Sequence, residues 1–277
     1  MKRNVDLNEI SDGRLYSAND MVKVECGDCA GCSACCQNMG TSVVLDPMDI
    51  WKMQRGTGRM LEKLLKKELE LNVVDGIILP NLRMNGTREV CSFLNEEGRC
   101  SIHPYRPGIC RLFPLGRYYE KNGFHYFLQI DECRKKSRGK MKVKKWLGIE
   151  NLKTYETYIS RWHEFLNKSE DGMKELDEQN QKVLTLLILQ RFYQTPFQAK
   201  EDEEFYRFNK KKSNRYRWNA RTGIWHGRRL DGSRSRSCHC RIICKSRSSC
   251  GRIYQKRVFV SWSNCKSGRC QRSCKRI

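Results

Sequence analysis

The residues of this chain that could do chemistry are its cysteines, and the densest group of them lies between Cys26 and Cys36. Five thiols occupy these eleven residues in the pattern C-x2-C-x2-C-x2-C-C. A Cys-x-x-Cys step lets two thiolates from one turn of backbone reach the same ion, so consecutive steps can surround a metal or a cluster face. The pattern predicts a metal site with ligands drawn from Cys26, Cys29, Cys32, Cys35 and Cys36.

The spacing within this group bears on the metal. Without Cys35 the run is C-x2-C-x2-C-x3-C, which is the ligand spacing of bacterial ferredoxins. Gln37 stands where that run has proline. Zinc also binds sets of four cysteines, or of three cysteines and a histidine. We therefore expect an iron–sulfur cluster, with zinc as the alternative.

A second group of candidate ligands follows further along the chain. Two arginines, Arg106 and Arg111, flank one of its cysteines, where they could neutralise thiolate charge, bind an anion or be ordinary surface residues. Its histidine precedes a proline, so a hydrogen bond within a turn is the alternative to a ligand role. Each group holds more thiols than a protein surface would tolerate unprotected. We therefore expect the two groups to converge on shared or adjacent metal sites. The candidates are Cys91, Cys100, His103, Cys110 and Cys133.

The two groups together resemble a known family. Cys29-x2-Cys32-x2-Cys35-Cys36, followed by Cys100-x2-His103-Pro-x-Arg106-Pro-x2-Cys110-Arg111-x-Phe113-Pro114, is similar to the YkgJ-type CxxCxxCC family. The resemblance covers about residues 26–133, or in a wider reading extends to about residue 208. It implies a zinc- or iron-chelating domain of a bacterial or archaeal cytoplasmic protein, with the matching cysteines as chelators.

The same resemblance raises an enzymatic alternative. Flagellin lysine-N-methylases contain a similar cysteine module, which implies a methyltransferase acting on a protein substrate. The sequence offers no convincing S-adenosylmethionine loop, since Arg55-Gly56-Thr57-Gly58 is short and follows a helix rather than a strand. Whether the protein is an enzyme therefore stays open, as does the choice between a protein partner and a protein substrate.

The elements that must position these residues predict an α+β fold, with irregular cysteine loops and short antiparallel strands backed by helices. Asp46 and Pro47 predict a helix start, and the Gly56–Gly58 break ends it. We expect further helices at about residues 59–70, 152–166 and 173–193. Hairpins are predicted around Asp75-Gly76 and around residues 121–123, with further strands at 90–94 and at Ile102.

Charge divides the chain into regions. The net charge is +23, but residues 210–277 alone carry +20, because they contain 21 Lys plus Arg and one acid. We predict a polar lead-in at 1–25, a metal-binding domain at 26–209, and a basic tail at 210–277 that is disordered or the product of a shifted reading frame. Nucleic-acid binding is a third functional hypothesis, expected only through this tail.

The cysteines also bear on the compartment. The chain shows no secretory signal pattern, and its longest strongly apolar run, Val183–Leu189, is far shorter than the ~20 residues of a membrane span. Clustered cysteines in a reducing compartment are metal ligands or redox groups more often than disulfides. We therefore expect a cytoplasmic protein without membrane contact.

Overall fold

The computed structural model describes residues 6–27, 32–121, 123–135 and 138–215, and five short strands between residues 217 and 273. From residue 211 onward only the backbone is described. The chain forms two compact units, one of Met1–His163 with Leu189–Gln198 and one of Glu164–Ile188 with Ala199–Ile277. Helices combine with short antiparallel sheets, which confirms the predicted α+β class.

Nine strands of the first unit form small sheets, and all of their pairings are antiparallel. The largest sheet has the order β1-β8-β7, and the others are the pairs β2-β9, β3-β4 and β5-β6. The strands are β1 (Ser11–Tyr16), β2 (Met21–Glu25), β3 (Leu69–Val74), β4 (Ile77–Leu82), β5 (Met84–Asn85), β6 (Val90–Cys91), β7 (Leu115–Glu120), β8 (Gly123–Gln129) and β9 (Gly139–Lys142).

Both predicted hairpins are present. Asp75 and Gly76 have φ angles of 49° and 82°, the positive values that a tight turn between twisted strands requires, and they join β3 to β4. The second hairpin joins β7 to β8. The strand predicted at 90–94 is reduced to β6, and the strand predicted at Ile102 is wrong. The chain there enters a 3₁₀ turn, His103–Tyr105, where Pro104 has no N–H to donate to a ladder.

The helices of this unit are α1 (Leu7–Ile10), α2 (Pro47–Thr57), α3 (Leu61–Lys67), α4 (Gly108–Leu112), α5 (Val143–Leu147) and the first half of α6 (Leu152–Lys174). Helix α2 starts and ends as predicted, with Asp46 as its cap and Gly58 left-handed after its end. Helix α3 is shorter than predicted, because Leu69 opposes Leu82 as the first residue of β3.

The core of the first unit includes part of the predicted polar lead-in. Val22 and Val24 on β2 are fully buried beside Leu115, Tyr126 and Leu147. The prediction missed this strand because the alternation of polar and apolar residues in β2 extends over only five residues. The buried valines need the partner strand β9, which lies more than a hundred residues away in sequence.

The second unit contains the end of α6, helix α7 (Glu178–Leu189) up to Ile188, and α8 (Asp202–Arg215). The Gln181 side-chain amide donates to the carbonyls of Met173 and Leu176, which ties α7 to the end of α6. None of the helices in the described ranges is both long and apolar enough to cross a membrane.

The predicted basic tail is described only in part. Helix α8 crosses the predicted boundary at residue 210. Beyond it, β10 (Arg217–Asn219), β11 (Ile224–Arg228) and β12 (His239–Arg241) pair in order, as do β13 (Trp262–Asn264) and β14 (Gln271–Ser273). The other residues of the tail lie outside the described part, so its predicted disorder or shifted frame stays a prediction.

Candidate metal centre

Cysteines from both groups line one cavity of about 90 Å³. This is the convergence that the sequence predicted, although the role of each cysteine as a ligand stays a prediction. Three stretches of chain contribute: the end of the first group, the β6 hairpin region and helix α4. The thiols are those of Cys32, Cys35, Cys36, Cys91, Cys100 and Cys110.

Backbone pairing holds the first cysteine group against the second. A 3₁₀ turn, Ala34–Cys36, ends at Gln37, which forms an isolated antiparallel bridge with Val90. The next N–H, that of Asn38, donates to the Glu89 carbonyl at 3.1 Å. Gln37 directly follows Cys36, and Val90 directly precedes Cys91. The backbone pairing between Gln37 and Val90 therefore brings the two cysteines close together, although they are far apart in sequence.

The turn after β6 positions Cys100. Leu94 and Cys100 form an isolated antiparallel bridge, and the Ser101 N–H donates to the Phe93 carbonyl at 2.8 Å. Gly98 closes this turn with a φ of 70°, in the left-handed region that side chains rarely adopt. The irregular segment after Cys91 therefore turns back, so that Cys100 lines the same cavity as Cys91.

Helix α4 carries Cys110 and is anchored at its start. The Gly108 N–H donates to Asp49 Oδ1 at 2.8 Å, which connects α4 to α2. A Cβ atom at position 108 would lie 2.1 Å from the Tyr155 hydroxyl, so only glycine allows this approach. The hydrogen bond from the Gly108 N–H and the absence of a side chain at Gly108 together fix the position of α4, and so place Cys110 at the cavity.

At four of these thiols the surroundings favour the protonated form by raising the pKa. A hydrogen bond with Cys36 and burial raise the pKa of Cys35, and burial raises the pKa of Cys91 and Cys100. Burial raises the pKa of Cys110 well above its usual value, and neighbouring acidic groups add to this effect. A metal ion binds the thiolate, so metal binding here must release protons.

Arg106 is a cation that lines the cavity beside the thiols. Its positive charge acts on Cys35 and Cys100 in the direction that favours thiolate. A guanidinium only donates, so its Nη1, at 2.6 Å from His103 Nε2, assigns that ring nitrogen as an acceptor. With this contact Nε2 is not available to a metal, which favours the hydrogen-bonding alternative for His103. Arg111 donates to the carbonyl of Pro104.

The rest of the cavity wall is apolar. Trp146 of α5 contributes to this wall, and its indole N–H donates to the Leu112 carbonyl at 3.3 Å. Such walls lower the local dielectric and strengthen the attraction between a metal and its thiolates. The apolar lining residues include Val43, Leu82, Phe93, Ile102, Phe113 and Trp146.

A buried carboxyl pair beneath α4 escaped the sequence analysis. The Asp46 carboxyl accepts from the Met48 and Asp49 N–H groups and from the Tyr158 hydroxyl, while the Asp49 carboxyl accepts from the Asp46 N–H. Two acids three residues apart at a helix start are the sequence signal of such a capping box. Only the fold shows that Asp49 also holds Gly108.

Asp49 predicts a pH dependence of stability. Burial and the negative charge of Asp46 raise the pKa of Asp49 to about 8. Above about pH 4 the folded chain therefore binds more protons than the unfolded chain. The stabilisation that protonated Asp49 provides is present at low pH and is lost as pH rises towards about 8. We expect the free energy of unfolding to fall more steeply over this range in the unmodified protein than in Asp49→Asn.

Urea unfolding at a series of pH values measures this difference. Comparing the two proteins removes the titration of the thiols, which both contain. Parallel pH profiles would show that Asp49 has an ordinary pKa in the folded chain.

Two of the other candidate cysteines do not reach the cavity, although His103 lines it. Cys26 and Cys133 are partly buried, but they do not line it. Cys29 lies outside the described residues. Within the described residues, no group of three or more Cys, His, Asp or Glu side chains lies close enough to hold a metal ion. The ligand roles of Cys26, Cys29 and Cys133 stay predictions.

The donor set fits a soft or borderline metal. Sulfur ligands select zinc or iron–sulfur clusters over magnesium or calcium, which prefer oxygen. The fold and the cavity define a thiol-lined domain of α+β architecture.

A comparison with protein families found a match. Residues 28–137 match the CxxCxxCC family, described as a putative zinc- or iron-chelating domain. The match confirms the predicted resemblance, and the description of the family supports metal binding. Neither the curated proteins nor the solved structures contain a match to the chain.

Proposed function

We propose that the cavity binds an iron–sulfur cluster and that this cluster joins the three cysteine-bearing stretches of the domain. The observation that carries the proposal is the spread of the thiols that open into one cavity. Six cysteines from three stretches line it, and within the described residues no three of them lie close enough to hold a single ion. Zinc and iron–sulfur clusters both take four thiolates, but a cluster of several iron atoms holds them further apart than one ion does.

The size and surroundings of the cavity support the same choice. A volume of about 90 Å³ exceeds the ~10–15 Å³ that one water molecule needs, so the space admits a group of several atoms. Thiolates in an apolar wall carry a large negative charge, which Arg106 offsets from beside Cys35 and Cys100. The ferredoxin-like spacing of Cys26, Cys29, Cys32 and Cys36 adds to this support.

Anaerobic purification of the full chain tests the identity of the metal. We expect a brown protein with iron, acid-labile sulfide and broad visible absorption that bleaches in air, because exposed clusters lose iron on oxidation. Metal analysis and the absorption spectrum of the same sample provide the measurement. A colourless protein with stoichiometric zinc would support the zinc alternative and contradict the cluster.

The same arrangement gives the bound cluster a structural role. A cluster bound by three stretches would stabilise the domain, since metal binding energy becomes folding energy where the ligands come together only in the native chain. The lysine-methylase hypothesis, the cytoplasmic location and a protein partner stay predictions.

A further inference from the structure

A strongly basic surface lies outside the metal centre and outside the tail. Residues 134–149 contain eight Lys plus Arg and no acid, although most of the net charge of the chain lies in its tail. Strand β9 and helix α5 belong to this stretch, and β9 pairs with β2. We call the exposed lysines on these three elements the lysine face: Lys23, Lys140, Lys142, Lys144 and Lys145.

The strand geometry places these charges on one side. Lys140 and Lys142 are two residues apart on β9, so both point to the same face at a spacing of about 7 Å. Both are exposed, and Met141 between them is partly buried. Lys144 and Lys145 continue the exposed run at the start of α5, whose Val143 and Leu147 are buried in the core.

The pairing of β2 with β9 places two positive charges opposite each other, which is destabilising. Lys23 on β2 lies directly opposite Lys140 on β9, and like charges in this position repel each other. The nearest acid of the pair of strands, Glu25, accepts the Gly27 N–H instead. In the described part of the chain, none of the five lysines forms a salt bridge. An anion bound over the strands would relieve this repulsion.

We propose that the lysine face binds the phosphate backbone of a nucleic acid. Protein–protein interfaces are depleted of lysine, whereas nucleic-acid interfaces are strongly basic. Lysines at regular spacing along a strand suit the regular charges of a polyphosphate chain, which they contact as point charges. Such contacts carry no base information, so binding is independent of sequence.

Salt dependence of DNA binding by the full chain tests the proposal. The probe is a short fluorescein-labelled DNA duplex, followed by anisotropy at several salt concentrations. Each phosphate contact contributes about 0.9 to the slope of log K against log salt concentration. We expect Lys140→Gln/Lys142→Gln to reduce this slope by about two, since both contacts are lost.

A matched variant distinguishes binding through the lysine face from a general effect of the positive charge of the chain and its tail. Lys63→Gln/Lys67→Gln removes two exposed charges from α3 and leaves β9 intact. The tail contributes equally to both variants, and we expect the α3 variant to keep the slope of the unmodified chain. Equal slopes in the two variants would overturn the proposal. A loss of polyglutamate binding by the β9 variant, with its DNA slope unchanged, would overturn it in favour of an acidic polypeptide.

Discussion

Replacing Cys36 or Cys110 by serine is expected to abolish stable metal binding, while Cys133→Ser leaves it intact. Cys36 and Cys110 come from different stretches but open into the same cavity, whereas Cys133 is partly buried and does not line it. A serine hydroxyl is a poor substitute for thiolate. We expect metal affinity to fall by more than about tenfold, because even partners outside the ligand shell contribute about 10–100-fold.

Metal content after anaerobic preparation and gel filtration measures this effect, with the thermal midpoint recorded on the same samples. The midpoint should fall together with the metal, since the bound metal contributes to folding. Full metal occupancy in both cavity variants would show that the cavity is not the metal site. Loss of metal in Cys133→Ser would return Cys133 to the ligand set that the sequence predicted.

Above about pH 8, where Asp49 is ionised, replacing Arg117 by methionine is expected to destabilise the first unit by about 3–5 kcal/mol, the range found when one partner of a buried charge pair is removed. Arg117 on β7 donates to the Tyr155 hydroxyl at 3.1 Å, and its Nε is sealed from solvent. Its positive charge also acts on the buried carboxyls of Asp46 and Asp49. Without this cation, the carboxyl pair loses its nearby counter-charge.

A double-mutant cycle separates this electrostatic effect from lost packing. Arg117→Met in the Asp49→Asn background should cost less than in the unmodified chain, because part of the negative charge is already gone. Urea unfolding of the four proteins above about pH 8, where Asp49 carries its charge, provides the free energies. Additive losses would mean that Arg117 acts through its packing on Phe124 and Tyr155 rather than through the carboxyls.

Local signals predicted much of the fold. Asp46-Pro47 and Gly58 define the ends of α2, and Asp75-Gly76 defines the first hairpin, because caps and tight turns depend on residues within one turn of backbone. The buried strand β2 was missed for the opposite reason. Its valines become core residues only when β9 covers them, and no residue near β2 in sequence indicates that partner.

The sequence by itself determined the chemistry of the metal centre. Thiols at Cys-x-x-Cys spacing are soft ligands that a single turn of backbone brings within reach of one another, so the metal-binding class followed from residues 26–36 alone. Only the tertiary structure decided which cysteines meet. The Gln37–Val90 bridge and the Asp49–Gly108 hydrogen bond bring Cys36, Cys91 and Cys110 to one cavity. Contacts between such distant residues depend on the whole fold, because the chain must pay loop-closure entropy before they form.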